Sequence, residues 1–436
     1  MESGITESIA AQTISRLNGR IIPLFFGVYI VNFIDRVNVG FAALQMNQEL
    51  GFDAEMYDFG AGIFFIGYVI FEVPSNMMLA KVGARYWLSR IMVSWGLVAT
   101  AMALVQGSTS FYILRFLLGV TEAGFVPALL VYLNEWYPAQ ERASAVSKIW
   151  SATAVSIVIG GPLSGLILSM NGFLGVSGWQ WMFIIEGVPA VLLGICLFLV
   201  VTDKPEHARW LTAEQREWLV STLAAEDAQR RKNAANSSFS AAFRDPRVWV
   251  LSFMYACLGF GFFGITLWMP QVIKQVSQLG SLQASFVTAI PFICAVVAMV
   301  VVGKHSDRTG ERRWYIATGT LVAALGFAIG GNVTDPIMAL VAISIGAMGL
   351  WSVIAVFWQI PSRFLAGSAA AAGVAIINSC GSIGGFLGPY MIGWIRIHSP
   401  GFGSATLAVA LAMVIASVIA VALGELREPV PLATAL

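Results

Sequence analysis

The sequence predicts an all-α membrane protein of twelve transmembrane helices, arranged as two pseudo-symmetric six-helix bundles. Three observations carry this. Hydrophobic residues make up 58% of the 436-residue chain and charged residues only 11%, too few to solvate a globular surface of that size. Apolar stretches of about 20 residues, the length that crosses a bilayer core, recur along the chain. One long polar segment, 203–247, divides them six and six.

In chain order the predicted spans are 21–43, 59–80, 88–107, 110–133, 145–169, 180–202, 248–272, 284–303, 314–331, 335–358, 369–395 and 403–424. The polar residues up to Arg20 lack the pattern of a cleaved signal peptide, so the first apolar segment is expected to remain as a span. The 203–247 stretch holds eight basic and seven acidic residues, with Leu211, Trp218, Leu219 and Leu223 at near-helical spacing. It predicts a partly helical cytoplasmic linker between an N-terminal bundle, 1–202, and a C-terminal bundle, 248–436. With the N-terminus in the cytoplasm, every Lys and Arg except Arg36, Arg115, Lys274 and Arg396 falls in a terminus or a cytoplasmic loop. The first outer loop carries Glu49, Asp53, Glu55 and Asp58 without a basic residue. Both termini are therefore expected in the cytoplasm of a multi-pass plasma-membrane protein, a bacterial inner membrane being the natural setting.

Composition also excludes. A net charge of +1 without a basic face argues against a nucleic-acid partner. Cys196, Cys257, Cys294 and Cys380 sit in apolar runs as small packing residues, and His207, His305 and His398 form no metal or haem set. No nucleophile–His pair or cofactor motif appears, so neither a catalytic residue nor a metal or cofactor is expected, and a membrane enzyme is disfavoured. No selectivity-filter-like repeat suggests a channel.

The two halves echo each other. The loop after span two runs from Asn76 through Gly83 to Arg85, and the loop after span eight runs from Gly303 through Asp307, Arg308 and Gly310 to Arg312 and Arg313. Aligning Gly83 with Gly310 offsets the copies by nearly half the chain, the internal duplication of many secondary transporters.

That loop, with the long central linker, resembles the major facilitator superfamily. Three further segments resemble its anion:cation symporter family: Phe33-Ile34-Asp35-Arg36-Val37-Asn38, Phe71-Glu72-Val73-Pro74-Ser75-Asn76, and the stretch from Arg115 through Gly119 and Glu122 to Gly124. The span-eleven segment from Ala372 to Gly385, with Asn378, resembles the tartrate and phthalate permease branch. The resemblance implies proton symport, with carboxylate binding at Arg36, proton handling at Asp35 and Glu122, and a conformational latch of Arg85, Asp307, Arg308, Gly310 and Arg312. It departs from the family pattern at Ala80 and Asn76, where the first loop copy lacks its usual acid and its leading Gly.

The residues themselves support that chemistry. An ionisable group at membrane depth costs roughly 2.5–3.5 kcal/mol to insert, which makes each one a functional candidate. Asp35 and Arg36 are adjacent on one helix and point about 100° apart, so they do not share a face. Arg115 and Glu122 are two turns apart on one face, with an axial gap of about 10.5 Å that accommodates a group from span one. The expected arrangement pairs Asp35 with Arg115 and sets Glu122 near Arg36; a static charge-compensated network is the alternative. Arginine's planar fork suits a carboxylate, while a buried carboxyl beside an arginine suits a proton. Tyr68, Asn378, Trp351 and Trp358 are further cavity candidates, whereas Glu72 and Glu186 are left outside the core site. These residues favour a small organic carboxylate as cargo; the resemblance implies a proton-coupled importer of a sugar acid, tartrate or a phthalate-like aromatic acid, expected to act as a monomer. An efflux or exchange transporter on the same fold is the alternative.

Overall fold

The computed structural model describes residues 2–234, 239–361, 367–399 and 402–423, which are almost wholly helical and contain no strand. By contact the chain divides into unit 1, Met1–Asn233 with Gly280–Ala289, and unit 2, Ala234–Leu279 with Ile290–Leu436.

Unit 1 holds α1 (Glu2–Leu50), α2 (Ala54–Val82), α3 (Ala84–Ala101), α4 (Ser108–Glu122), α5 (Phe125–Trp136), α6 (Ala139–Trp150), α7 (Ala152–Leu168), α8 (Gly178–Val200) and α9 (Ala213–Ala234). After α10 (Phe239–Arg244), the second half runs through α11 (Pro246–Ser277), α12 (Ser281–Thr309), α13 (Arg313–Gly330), α14 (Pro336–Phe357), α15 (Gly367–His398) and α16 (Gly403–Ala422). Among the described residues ten segments are long and apolar enough to cross a membrane, α4 and α5 counting together as one. The interrupted pair α6/α7 and the helix α13 complete the predicted twelve.

Asp residues start several helices. The carboxylates of Asp53, Asp245 and Asp335 accept the backbone N–H of Met56, Arg247 and Met338 at 2.8, 2.9 and 2.8 Å, satisfying donors that a first turn leaves open. Pro246 and Pro336 follow at the first helical position, where a missing N–H costs nothing. Close packing then sets helix spacing. A Cβ on Gly119 of α4 would stand 2.0 Å from the Phe64 carbonyl oxygen of α2, so glycine alone permits that contact.

The linker is partly helical and its first part belongs to unit 1. Trp210 stacks on Trp136 at 5.4 Å, with the Arg20 guanidinium 5.2 Å from its ring. Glu226 of α9 accepts the N–H of Ala139 at 2.8 Å, capping α6, and pairs with Arg142 at 3.5 Å.

The repeated loops share one backbone device. Gly83 and Gly310 both take positive φ, 87° and 69°, and each N–H closes the preceding helix, on the carbonyls of Leu79 and Ser306 at 3.0 Å. Their side-chain chemistry differs. Asp203, just past α8, accepts the backbone N–H of Arg85 at 2.9 Å and so brings a carboxylate to the loop that has none at Ala80. The Arg85 side chain donates to Phe198 O at 2.7 Å. In the second copy Arg312 donates to Ser306 Oγ at 2.5 Å and Arg308 is exposed, while the Asp307 side chain lies outside the described residues.

Gly83 sits at φ 87°, ψ 160°, a region essentially reserved for glycine. Gly83→Ala should therefore destabilise by about 1–3 kcal/mol, and Gly310→Ala by about 1–2 kcal/mol. Thermal melting of the purified variants checks this; wild-type melting of Gly83→Ala would contradict it.

Candidate functional site

The charged residues at membrane depth converge in unit 1. Asp35 and Arg36 diverge from α1 as their helical spacing requires. Asp35, 1% exposed, accepts the Trp95 indole N–H of α3 at 2.5 Å and the Asn38 amide one turn on at 3.2 Å. Arg36 turns toward α4 and α2. Its Nη2 pairs with Glu122 Oε1, and its guanidinium lies 5.5 Å from the Tyr68 ring and 5.7 Å from Phe64.

Glu122 is fully buried and closes α4 at a break that the continuous apolar pattern of 110–133 does not betray. Ala123 is extended and Gly124 is left-handed at φ 86°, where a Cβ would also meet Ser75 Oγ at 2.2 Å. Ser75 donates to the freed Ala123 carbonyl at 2.6 Å and accepts the Trp87 indole N–H at 2.9 Å. The break leaves Glu122 at the negative end of a helix dipole, where a carboxylate is disfavoured. Arg36 offsets this, and Asn32 donates to the same oxygen at 2.9 Å.

The Arg36–Glu122 contact uses only part of either group. Arg36 Nε and Glu122 Oε2 are buried and have no hydrogen-bond partner among the described residues. A guanidinium edge and a carboxylate oxygen therefore retain capacity beside each other, and 17% of the Arg36 side chain remains exposed.

Arg115 departs from expectation. It forms no ion pair with Asp35: Nε donates to Gly60 O at 3.3 Å, Nη2 to Ala61 O at 3.0 Å, and the guanidinium lies 5.1 Å from the Phe64 ring. Carbonyls of α2 and the N–H donors of Trp95 and Asn38 satisfy the two groups separately, so no direct pairing is needed.

Unit 1 thus brings together Asp35, Arg36, Tyr68, Arg115 and Glu122. The other substrate-binding candidates belong to unit 2. Trp351, 3% exposed, packs against Phe262 and Phe292 at 4.7 and 5.4 Å, and its Nε1 has no hydrogen-bond partner. Trp358 is half-buried edge-on to Tyr255 at 4.8 Å, and Asn378 is half-buried on α15. The charge list of the sequence missed Asn32, Asn38 and Trp95. Asn32 lies four residues before Arg36 and Asn38 three after Asp35, a same-face spacing that carries the signal; Trp95 has none. Among the described residues no group of three or more His, Cys, Asp or Glu is arranged to hold a metal ion.

Residues 25–389 match the Major Facilitator Superfamily. The chain belongs to that superfamily. A protein of Agrobacterium vitis named "Putative tartrate transporter" is 46% identical over 97% of this chain and 93% of its own length. A "Quinolone resistance transporter" of Acinetobacter baumannii is 40% identical over 87% of each chain. The solved structure of the xylose transporter XylE from E. coli, in a partially occluded inward-open conformation, superimposes with a TM-score of 0.74 over 94% of this chain and 98% of that one; at 16% identity it shares the fold alone. Major facilitator proteins are membrane transporters, not enzymes, and this multi-pass chain transports small molecules.

Trp95→Phe removes the indole donor from buried Asp35 and should destabilise the protein by roughly 1.5–3 kcal/mol, the worth of a hydrogen bond to a charged group. Thermal melting in detergent checks this. An unchanged melting temperature would show that Asp35 does not depend on the indole.

Proposed function

We propose that this chain is a proton-coupled symporter that imports a small organic carboxylate, a sugar acid, tartrate or a phthalate-like acid, by alternating access. The half-used Arg36–Glu122 pair carries this reading. An incoming carboxylate finds the open Nε edge of Arg36 and competes with Glu122 for the guanidinium. Glu122 then loses its counter-ion while staying buried at the end of α4, and a proton removes the uncompensated charge. Substrate and proton thus enter as a neutral set, the state in which closing the cavity costs least. Asp35, held by Trp95 and Asn38, is the second acid of the cluster, and Tyr68 forms an aromatic wall beside Arg36. Trp351, Trp358 and Asn378 of unit 2 add apolar and amide contacts to the substrate, and Arg85, Asp307, Arg308, Gly310 and Arg312 act as the conformational latch. The A. vitis relative's name agrees with a carboxylate cargo. In this reading the protein is a monomer in a bacterial inner membrane, and the positive-inside bias keeps both termini cytoplasmic. The A. baumannii relative's name favours a second reading, export of a small molecule on the same fold.

Uptake into proteoliposomes under an inward proton gradient, over a panel of carboxylates, tests the proposal. Export predicts accumulation only when the gradient drives efflux from the vesicles. Arg36→Lys keeps the charge but loses the fork, and should weaken binding by at least ~1.5 kcal/mol; unchanged affinity in Arg36→Ala would remove the anchor role. Glu122→Gln should abolish proton-driven accumulation while retaining substrate counterflow. Wild-type accumulation by that variant would exclude Glu122 from coupling.

A further inference from the structure

On another face of α1 from Arg36, Asp35 shares its surroundings with a buried acid that the transport reading leaves unused, Glu186 of α8. Glu186 of α8, 5% exposed, faces α1 and α7. Its Oε1 accepts Ser164 Oγ at 3.3 Å, and Asn38, which donates to Asp35, also lies against its carboxyl. Glu186 Oε2 and Asn38 Oδ1 are both buried acceptors with no donor. Two orphan acceptors in one buried cluster lack a single element, a hydrogen.

Charge counting points the same way. Linked around Asp35 are the acids Glu122 and Glu186 and the base Arg115, with Arg36 joined through Glu122: three acids with two bases. Arg36 is engaged by Glu122, and Arg115 donates to backbone carbonyls. Among the described residues, Glu122 and Arg115 of α4 act on Asp35, and Asp35 acts on Glu186. Towards this pair α3 presents neutral Trp95, and α7 presents Ser164. One positive charge is missing from a region where an unbalanced carboxylate is expensive.

We infer that Asp35 and Glu186, bridged by Asn38, form a proton-binding site distinct from the Arg36–Glu122 pair. The site takes one proton from the aqueous phase, forming an O–H bond on a carboxyl oxygen and breaking none. The bound hydrogen turns one acceptor into a donor and brings the five-group cluster to neutrality before any substrate arrives. Glu186 is thereby a proton ligand, with Asn38 and Ser164 as positioning residues. This rests on the proton-coupled reading of unit 1 but is measured without transport.

The test is infrared difference spectroscopy on the purified, substrate-free full-length protein in lipid nanodiscs, recorded between neutral and alkaline pH. Wild type should show the C=O stretch of a buried carboxylic acid, lost on alkalinisation. E186Q should lose that band, E122Q should keep it, and S164A, which removes only a donor to Glu186 and serves if E186Q does not fold, should shift its frequency. Absence of the band in wild type, or a band unmoved in both E186Q and S164A, would overturn the inference. If the band behaves as stated while proton-driven uptake is absent, the transport reading falls and the proton site stands.

Discussion

The buried ion pair between Arg36 and Glu122 is the constraint around which unit 1 is built. Neither charge is tolerable alone at membrane depth, and Glu122 is further disfavoured by ending a helix. Everything nearby answers that problem. Asn32 gives Glu122 a second donor, Gly124 lets the chain turn immediately after it, and Ser75 caps the carbonyl that the turn exposes. Close approach of α2 at Gly119 then sets Phe64 and Tyr68 beside the arginine. A pair held this firmly yet using only part of each group is stable when empty and still open to competition.

The two halves repeat a backbone plan but divide the chemistry. Gly83 and Gly310 end equivalent helices, both at positive φ. Among the described residues, however, the buried carboxylates Asp35, Asp58, Glu72, Glu122 and Glu186 all lie in unit 1, as does buried Arg115. The buried polar groups of unit 2 are hydroxyls, and its aromatic cluster centres on Trp351. Among the described residues, buried charge is thus confined to unit 1. Neutral groups need no counter-ion and are free to exchange partners when a structure rearranges.

Much of this was legible in the sequence, and the remainder has physical reasons for being hidden. Span positions follow from apolar length, and the divergence of Asp35 from Arg36 follows from helical pitch alone. The equivalence of Gly83 and Gly310 was visible because corresponding loops carry them nearly half a chain apart. The break after Glu122 was not, because Ala123 and Gly124 sit inside an apolar run where glycine is common as a packing residue. Arg115 misled for a related reason. Helical spacing paired it with Asp35, whereas backbone carbonyls, which carry no sequence signature, satisfy it instead. Asp203 reaches the first repeated loop from 118 residues away, a contact only the fold creates.

The central claim is that a carboxylate displaces Glu122 from Arg36 and that a proton takes the arginine's place. Calorimetric titration of the purified transporter with its carboxylate, repeated at one pH in buffers of different ionisation enthalpy, measures the protons taken up on binding. Wild type should take up close to one proton per substrate, and Glu122→Gln none. Binding of the carboxylate to wild type with no proton uptake would contradict the claim.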